Sequence, residues 1–312
     1  MFANWPDIPF QTWHETCNAL HLYTQIVGKY RLARTPWINH SWHATLYVNA
    51  CGLTTSLIPD AAGIEVAFDL VRHALVAKSA DGRRAQFSLM PMSVAEFHSK
   101  FIELIRLLGG NSAFHGRPNE IADAVPFAED RRMRPYDADA VERFFRALVA
   151  SHTVFERFRT GFLGKVSPIH LFWGSFDLAV TRFSGRRAPV HPGGIPGLPD
   201  DVTREAYSHE VSSAGFWPGG PQIEFPAYYS YSYPTEKGFS DAAPLPKGAY
   251  FDEGLGEFLL PYEAVRTSGD PERTLLAFLD CTYRAAADLG NWDRSALEGP
   301  IGEPGRPRVL GP

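Results

Sequence analysis

The amino-acid sequence predicts an α+β fold in which two related halves, each a helix-plus-antiparallel-sheet unit, pack about a central cleft. Three observations predict it. Apolar residues recur at helical spacing over 11–30, 93–108, 137–159 and 270–288. Short β-rich runs broken by Gly, Pro and turn dipeptides lie between them. The order of elements also repeats: each half runs helix, aromatic-histidine strand, further strands, a strand ending in Leu89-Met90-Pro91 or Leu259-Leu260-Pro261, then a closing helix. That repetition reads as an internal duplication.

In chain order, Trp13, Cys17, Leu20, Tyr23, Ile26 and Val27 form the stripe of a first helix, with Gly28 placed to end it. Strands are expected at 44–50 and 53–58, on either side of Gly52, and again at 64–70 and 75–78. Asp81-Gly82 is a tight-turn pair that folds 85–90 back on the strand before it. Ser93, with Glu96 three residues on, opens the next helix as a capping box. The first half is thus 1–110. Residues 111–136, rich in Gly, Pro and charge, read as a linker to a second half at 137–292. That half opens with a long helix striped by Val141, Phe144, Leu148 and Phe155. Strands are expected at 169–183, 206–217, 227–233 and 257–260, with a Pro/Gly loop at 188–199. The tail, 293–312, is expected to be poorly ordered.

Composition narrows the function class. With 45% hydrophobic and 21% charged residues the chain is of globular type, not disordered. A net charge of -5 and the lack of a long Lys/Arg run argue against a nucleic-acid partner. No stretch approaches the roughly 18 apolar residues of a membrane helix, and the N-terminus has no secretory pattern, so a cytoplasmic protein is expected. Cys17, Cys51 and Cys281 are too scattered for a disulfide framework. Neither a phosphate loop, a dinucleotide Gly motif, an H-E-x-x-H helix nor a nucleophile elbow occurs, so no nucleotide cofactor is expected.

The positive signal is clustering. Of 11 His, five sit in segments dense in aromatics, Gly and Ser: 37–43, 167–177, 191–194 and 205–210. A further segment, Tyr228-Tyr229-Ser230-Tyr231-Ser232-Tyr233, adds phenols. Imidazole with carboxylate is the usual donor set for Fe, Zn, Cu or Mn. His40, His43, His170 and His209 are therefore the candidate ligands of one divalent transition metal, with Asp177 or Glu210 as a further ligand or general base. Arg182 and Arg186 are candidate substrate clamps, Trp42 and Trp173 candidate walls, and Tyr229 and Tyr231 candidate proton donors. The competing reading is a core one: histidines bonded to backbone, and rings that only pack.

The runs Asn39-His40-Ser41-Trp42-His43, Ser167-Pro168-Ile169-His170, Trp173-Gly174-Ser175-Phe176-Asp177 through Arg186, His191-Pro192-Gly193-Gly194 and Glu205-Ala206-Tyr207-Ser208-His209-Glu210 resemble a bacterial family catalogued as domain of unknown function 5996. The resemblance spans nearly the whole chain. It implies a stand-alone cytosolic protein and implies no activity. The function expected from the residues is a metal-dependent enzyme, oxidoreductase or hydrolase, acting on a small molecule in a His/Trp/Tyr-rich cleft. The alternatives are a non-catalytic small-molecule-binding protein with an aromatic pocket and a structural or partner-binding protein. The oligomeric state stays open.

Overall fold

A computed structural model of the chain describes residues 5–308, other than 122 and 243. The first element, helix α1 (Phe10–Arg34), is the axis of the molecule. Every residue from Tyr23 to Arg31 is buried, so the helix has protein on all sides rather than along one stripe. It runs through Gly28, where the sequence suggested a stop, and ends at Thr35. Pro36 holds that residue extended, at φ -104° and ψ 131°. Gly28 serves packing instead: a Cβ there would overlap the Trp173 indole.

The first sheet is a five-stranded antiparallel meander, β1 (Tyr47–Asn49), β2 (Gly52–Ile58), β3 (Ile64–Asp69), β4 (Ala74–Ser79) and β5 (Arg84–Ser88). The Asp81-Gly82 turn between β4 and β5 forms as expected, with Gly82 at φ 92°. Its inner face meets α1 and, after a two-residue strand β6 (Met92–Ser93), helix α2 (Val94–Leu107). Phe97 of α2 stacks on Tyr23 at 4.2 Å and lies 6.2 Å from Phe68 of β3. Ser93 caps α2 by accepting the Glu96 amide at 3.1 Å.

The 111–136 stretch is fitted to the body of the protein. It carries β7 (Met133–Arg134), which pairs with β6. Gln25 on α1 clamps its middle: the Gln25 amide donates to the Asn119 carbonyl at 2.9 Å and accepts the Asn119 amide at 2.7 Å. Next comes the long helix α3 (Ala138–Thr160), capped by Asp137, then β8 (His170–Phe172) and β9 (Asp177–Arg187). A turn at Trp173–Phe176 splits the single strand expected there, with Phe176 at φ 59°. A short helix, α4 (Asp200–Ala206), precedes β10 (His209–Trp217), where the sequence suggested strand from 206. The chain continues through β11 (Ala227–Tyr233), β12 (Tyr250–Asp252) and β13 (Glu257–Pro261) to helices α5 (Tyr262–Arg266), α6 (Pro271–Leu289) and α7 (Arg294–Leu297).

The second sheet has six strands in the order β12-β13-β11-β10-β9-β8. Helices α3 and α6 cover one of its faces. On that side the Tyr228 hydroxyl bonds the Ser151 hydroxyl of α3 at 2.8 Å. The edge strands β1 and β8 of the two sheets meet through a two-way bridge, Leu46 N to Leu171 O at 2.9 Å and Leu171 N to Leu46 O at 2.7 Å. The result is an α+β protein with antiparallel sheets and one continuous apolar core reaching from Ile8 to Trp292. Of the tail expected at 293–312, residues 309–312 lie outside the described residues, and the start of the rest is packed: the Leu163 amide donates to the Leu297 carbonyl at 2.7 Å, and Arg294 pairs with Glu298. No helix among the described residues is long and apolar enough to cross a membrane.

The contact between Gly28 and Trp173 is sensitive because the indole cannot yield. Its N–H donates to the Ala44 carbonyl at 2.6 Å. Gly28→Ala is expected to lose about 1–3 kcal/mol to overpacking, outweighing the helix-propensity gain of ~1 kcal/mol. Denaturant unfolding followed by tryptophan fluorescence reads this out; a stabilised variant would show that the two elements separate freely.

Candidate functional site

Strand alternation divides the tyrosine run between two faces. Tyr228, Ser230 and Ser232 are buried towards α3 and α6, whereas Tyr229, Tyr231 and Tyr233 stand half-buried on the opposite face. The register brings Thr181, Ser213 and Tyr231 into one row across β9, β10 and β11, and Ala179, Gly215 and Tyr229 into the next. Gly215 leaves room for Tyr229 to lean over β10, since a Cβ there would overlap the phenol. The Tyr229 hydroxyl can therefore donate to the Asp177 carboxylate on β9, which also accepts the Ser175 hydroxyl. One row on, Tyr231 and Tyr207 bond through their hydroxyls at 2.8 Å. His191 packs 4.9 Å from both Tyr207 and Tyr233, so the 188–207 segment walls this face.

Glu120 stands beside that wall, its backbone against Gly197. It is put there by α1, whose His21, Gln25 and Lys29 recur every four residues along one side. Gln25 clamps Asn119, and Lys29 donates to the Asn119 side-chain oxygen at 2.7 Å. Two glycines admit the acid. A Cβ on Gly174 would overlap the Glu120 carboxyl, and one on Gly197 would lie 2.7 Å from the Glu120 amide nitrogen. Glu120 itself holds φ 55°, a left-handed backbone that costs a non-glycine residue roughly 1–3 kcal/mol. Glu257, on β13, comes next to the Tyr231 row and is half-buried.

These acids share a field. Glu120 is exposed as a residue, while the protein packed around its carboxyl, and then Asp177, raise its pKa to about 7 against the attraction of Lys29. Glu257 is likewise raised to about 7 by burial, then by Asp177 and Asp252. Asp177 is raised by burial, against the two hydroxyls that donate to it. Lys29 is lowered to about 8 by burial, which the attraction of Glu120 partly offsets. Burial raises Tyr207 to about 12 and pushes Tyr229 and Tyr231 well above the usual range, so all three phenols stay protonated donors. Chemically the arrangement offers two carboxyls poised near neutrality, a buried carboxylate and a row of phenol donors.

Asp177, Tyr229 and Tyr231, singled out from the sequence, thus converge. The other sequence candidates lie elsewhere. Arg182 is on the face against α3, stacked 3.4 Å over Phe158 and 4.2 Å over Tyr283, with burial lowering it to about 10. Arg186 and Glu210 pair with each other at 2.7 Å, and Arg186 also reaches the carbonyl of Asn291 at 3.1 Å. Trp173 is buried against α1. Trp42 lies 5.9 Å from Phe183 and 6.4 Å from His170.

The four histidines do not gather around one point. His40 and His209 have ring centroids 5.9 Å apart, but both His40 nitrogens are engaged: Nδ1 donates to the Ala206 carbonyl at 2.8 Å and Nε2 accepts from Lys165 at 2.6 Å. His43 and His170 are buried beneath the 37–43 loop. Among the described residues no group of three or more His, Cys, Asp or Glu is arranged to hold a metal ion. A surface hollow of about 320 Å³ bordered by Cys281, Arg284 and Asp288 lies beside α6, on the helix side of the sheet and away from the acids.

Sequence reasoning missed Glu120, Glu257, Tyr207 and Lys29. Glu120 sat in a stretch read as linker, and Lys29 on a helix read as one-sided. Glu257 alone left a trace, an acid opening an apolar strand run.

No curated protein and no solved structure matches the chain. A family model does match, over residues 5–299, a span that holds both sheets, α1 and the acids and phenols described above; the chain belongs to the family of unknown function DUF5996.

Proposed function

We propose that the protein is an enzyme of the general acid–base kind that acts on a small polar molecule in the cleft between α1, the 111–136 segment and the open face of the second sheet. The observation that carries the reading is the pair of carboxyls, Glu120 and Glu257, each raised to about 7 beside the buried Asp177. A catalytic acid or base works best with a pKa near the ambient pH, and two such groups allow one to donate while the other accepts. Asp177 tunes both, and Tyr229, Tyr231 and Tyr207 supply donors that orient a substrate oxygen. The reaction class this supports is proton transfer or hydrolysis. The proposed cleft would draw on α1 from residues 1–110 and on the second sheet from residues 137–292. The divalent metal expected from the histidines is a separate proposition; elemental analysis of protein purified without a His tag or chelator decides it.

A second reading has an observation of its own. The His191, Tyr207 and Tyr233 rings lie within 4.9 to 5.2 Å of one another, a wall suited to holding a ligand without chemistry. Once a ligand is found by thermal-shift screening, Glu120→Gln and Glu257→Gln separate the two. Acid–base catalysis predicts a loss of about 100-fold or more in turnover with binding kept. A binding protein shows no turnover to lose.

Two predictions follow from the shared field. Asp177→Asn removes the charge that helps hold Glu120 and Glu257 high, so both should titrate lower, towards the ordinary carboxylate range. Carbon-13 NMR of labelled glutamate measures this, and unchanged midpoints would contradict the coupling. Stability should also depend on pH with a definite sign. Because the folded-state pKa of each Glu lies above its unfolded value, the stabilisation is complete below about 4.5 and is lost as pH rises through about 7. Glu120→Gln should therefore flatten the fall in Tm between pH 5 and 8 and raise Tm at pH 8 by roughly 1–3 °C.

A further inference from the structure

We propose that Arg31, His43 and His170 hold a small oxyanion, either free inorganic phosphate or the phosphoryl or carboxylate group of a small molecule, at the junction of the two sheets. This site is separate from the acid cleft and rests on different observations.

The junction is the Leu46–Leu171 bridge, whose antiparallel pairing sets Tyr47 across from His170. Arg31, near the C-terminus of α1, lies over the Tyr47 ring at 5.2 Å and donates to the Thr45 carbonyl through one terminal nitrogen. Trp42 comes within 6.4 Å of His170, and His43 follows it in the chain under the exposed Trp37, 4.5 Å away. The three basic side chains are 6%, 1% and 1% exposed.

Their polar atoms are unanswered. His170 has no partner at either ring nitrogen, His43 none at Nε2 and Arg31 none at Nε. Ser41 and Thr35, which border the same loop, have hydroxyls without partners. His43 Nδ1 lies between the Ile38 amide at 3.2 Å and the Ile38 carbonyl at 3.3 Å, and in the tautomer in which it accepts the amide the proton sits on the unpartnered Nε2. Buried polar groups are almost always bonded, and a concentration of exceptions in one place calls for a partner. The sign of that partner follows from charge. Among the described residues no carboxylate forms an ion pair with Arg31, and its local influences are burial and Tyr47 alone. A buried guanidinium without a counter-charge is costly. Burial first, and then the charge of Arg31, hold both imidazoles below their ordinary range, and the same charge would repel a cation. An oxyanion satisfies the guanidinium, the His43 N–H and a His170 N–H together.

The cover is built to be displaced. His40 and Ser41 adopt φ 60° and 58°, left-handed conformations unfavourable to both. The loop is latched to α4 by the His40 amide, which donates to Glu205 at 2.9 Å.

The test uses the full chain at fixed ionic strength, with sodium chloride replaced stepwise by phosphate, by a phosphate monoester or by acetate. At least one arm should give a saturable rise in Tm, roughly 3 °C at saturation. A response to phosphate identifies the free ion as sufficient. A response only to the monoester or to acetate assigns the site to a group on a larger molecule. In the same titration, nitrogen-15 signals of the His43 and His170 imidazoles should shift, which locates binding without a variant. Arg31→Gln and His170→Gln should each abolish the saturable rise. The proposal is overturned if no arm binds, if binding leaves both imidazole signals unmoved, or if folded variants respond like the parent.

Discussion

A helix enclosed on all sides must find a protein partner for each polar side chain it carries. Helix α1 carries His21, Gln25, Lys29 and Arg31 into the interior. Each meets a part of the chain outside the helix, though Arg31 keeps one nitrogen without a partner. His21 bonds the Gly174 carbonyl at 2.8 Å and stacks 5.2 Å from Phe176, fixing the turn before Asp177. Gln25 and Lys29 fix Asn119, and through it Glu120. Arg31 reaches the strand junction. Remove the need to satisfy this helix and neither wall of the cleft has a reason to be where it is. An interior helix with unpaired polar groups loses about 1–3 kcal/mol for each, so these contacts constrain the fold as strongly as the apolar packing around them.

The same helix separates two electrostatic environments. On the side of the second sheet, three carboxyls converge with one lysine, and burial makes it costly for all of them to be charged at once. Two respond by moving towards neutrality, the condition in which a carboxyl can both give and take a proton. On the side of the strand junction, Arg31 stands beside two buried imidazoles, and among the described residues no carboxylate pairs with it. Acids gathered in one place and bases in another, each short of a counter-charge, are a poor design for stability and a serviceable one for ligands. The strained backbones at Glu120, His40 and Ser41 fall at these same two places.

Much of the fold was legible because it depends on local rules. The caps at Ser93 and Asp137, the Asp81-Gly82 turn, the alternation of Tyr228 to Tyr233 and the apolar stripe of α3 are short-range signals, and the structure contains each of them. The misreadings have a common cause. Gly28 looks like a helix stop, but an indole from far along the chain takes the space a side chain would fill. Residues 111–136 look like a linker because their anchors, Gln25 and Lys29, are on another element. The tail looks loose because its partners lie at the end of α3. The candidate histidines drew attention by their company in the sequence; the structure gives His40 to Lys165 and Ala206 and leaves both nitrogens of His170 without a partner.

The sequence by itself determined the α+β class and most of the helices and strands, because propensity, capping and turn signals act over a few residues. It also placed Asp177, Tyr229 and Tyr231 among the candidates, since polar groups inside apolar strands are conspicuous. Only the tertiary structure decided that Glu120 and Glu257 join them, that Arg182 belongs to the opposite face and that Arg31 stands without a carboxylate. Those outcomes depend on burial and on distances between residues far apart in the chain. A pKa or an unanswered charge is a property of the assembled surroundings, and no spacing along the sequence encodes it.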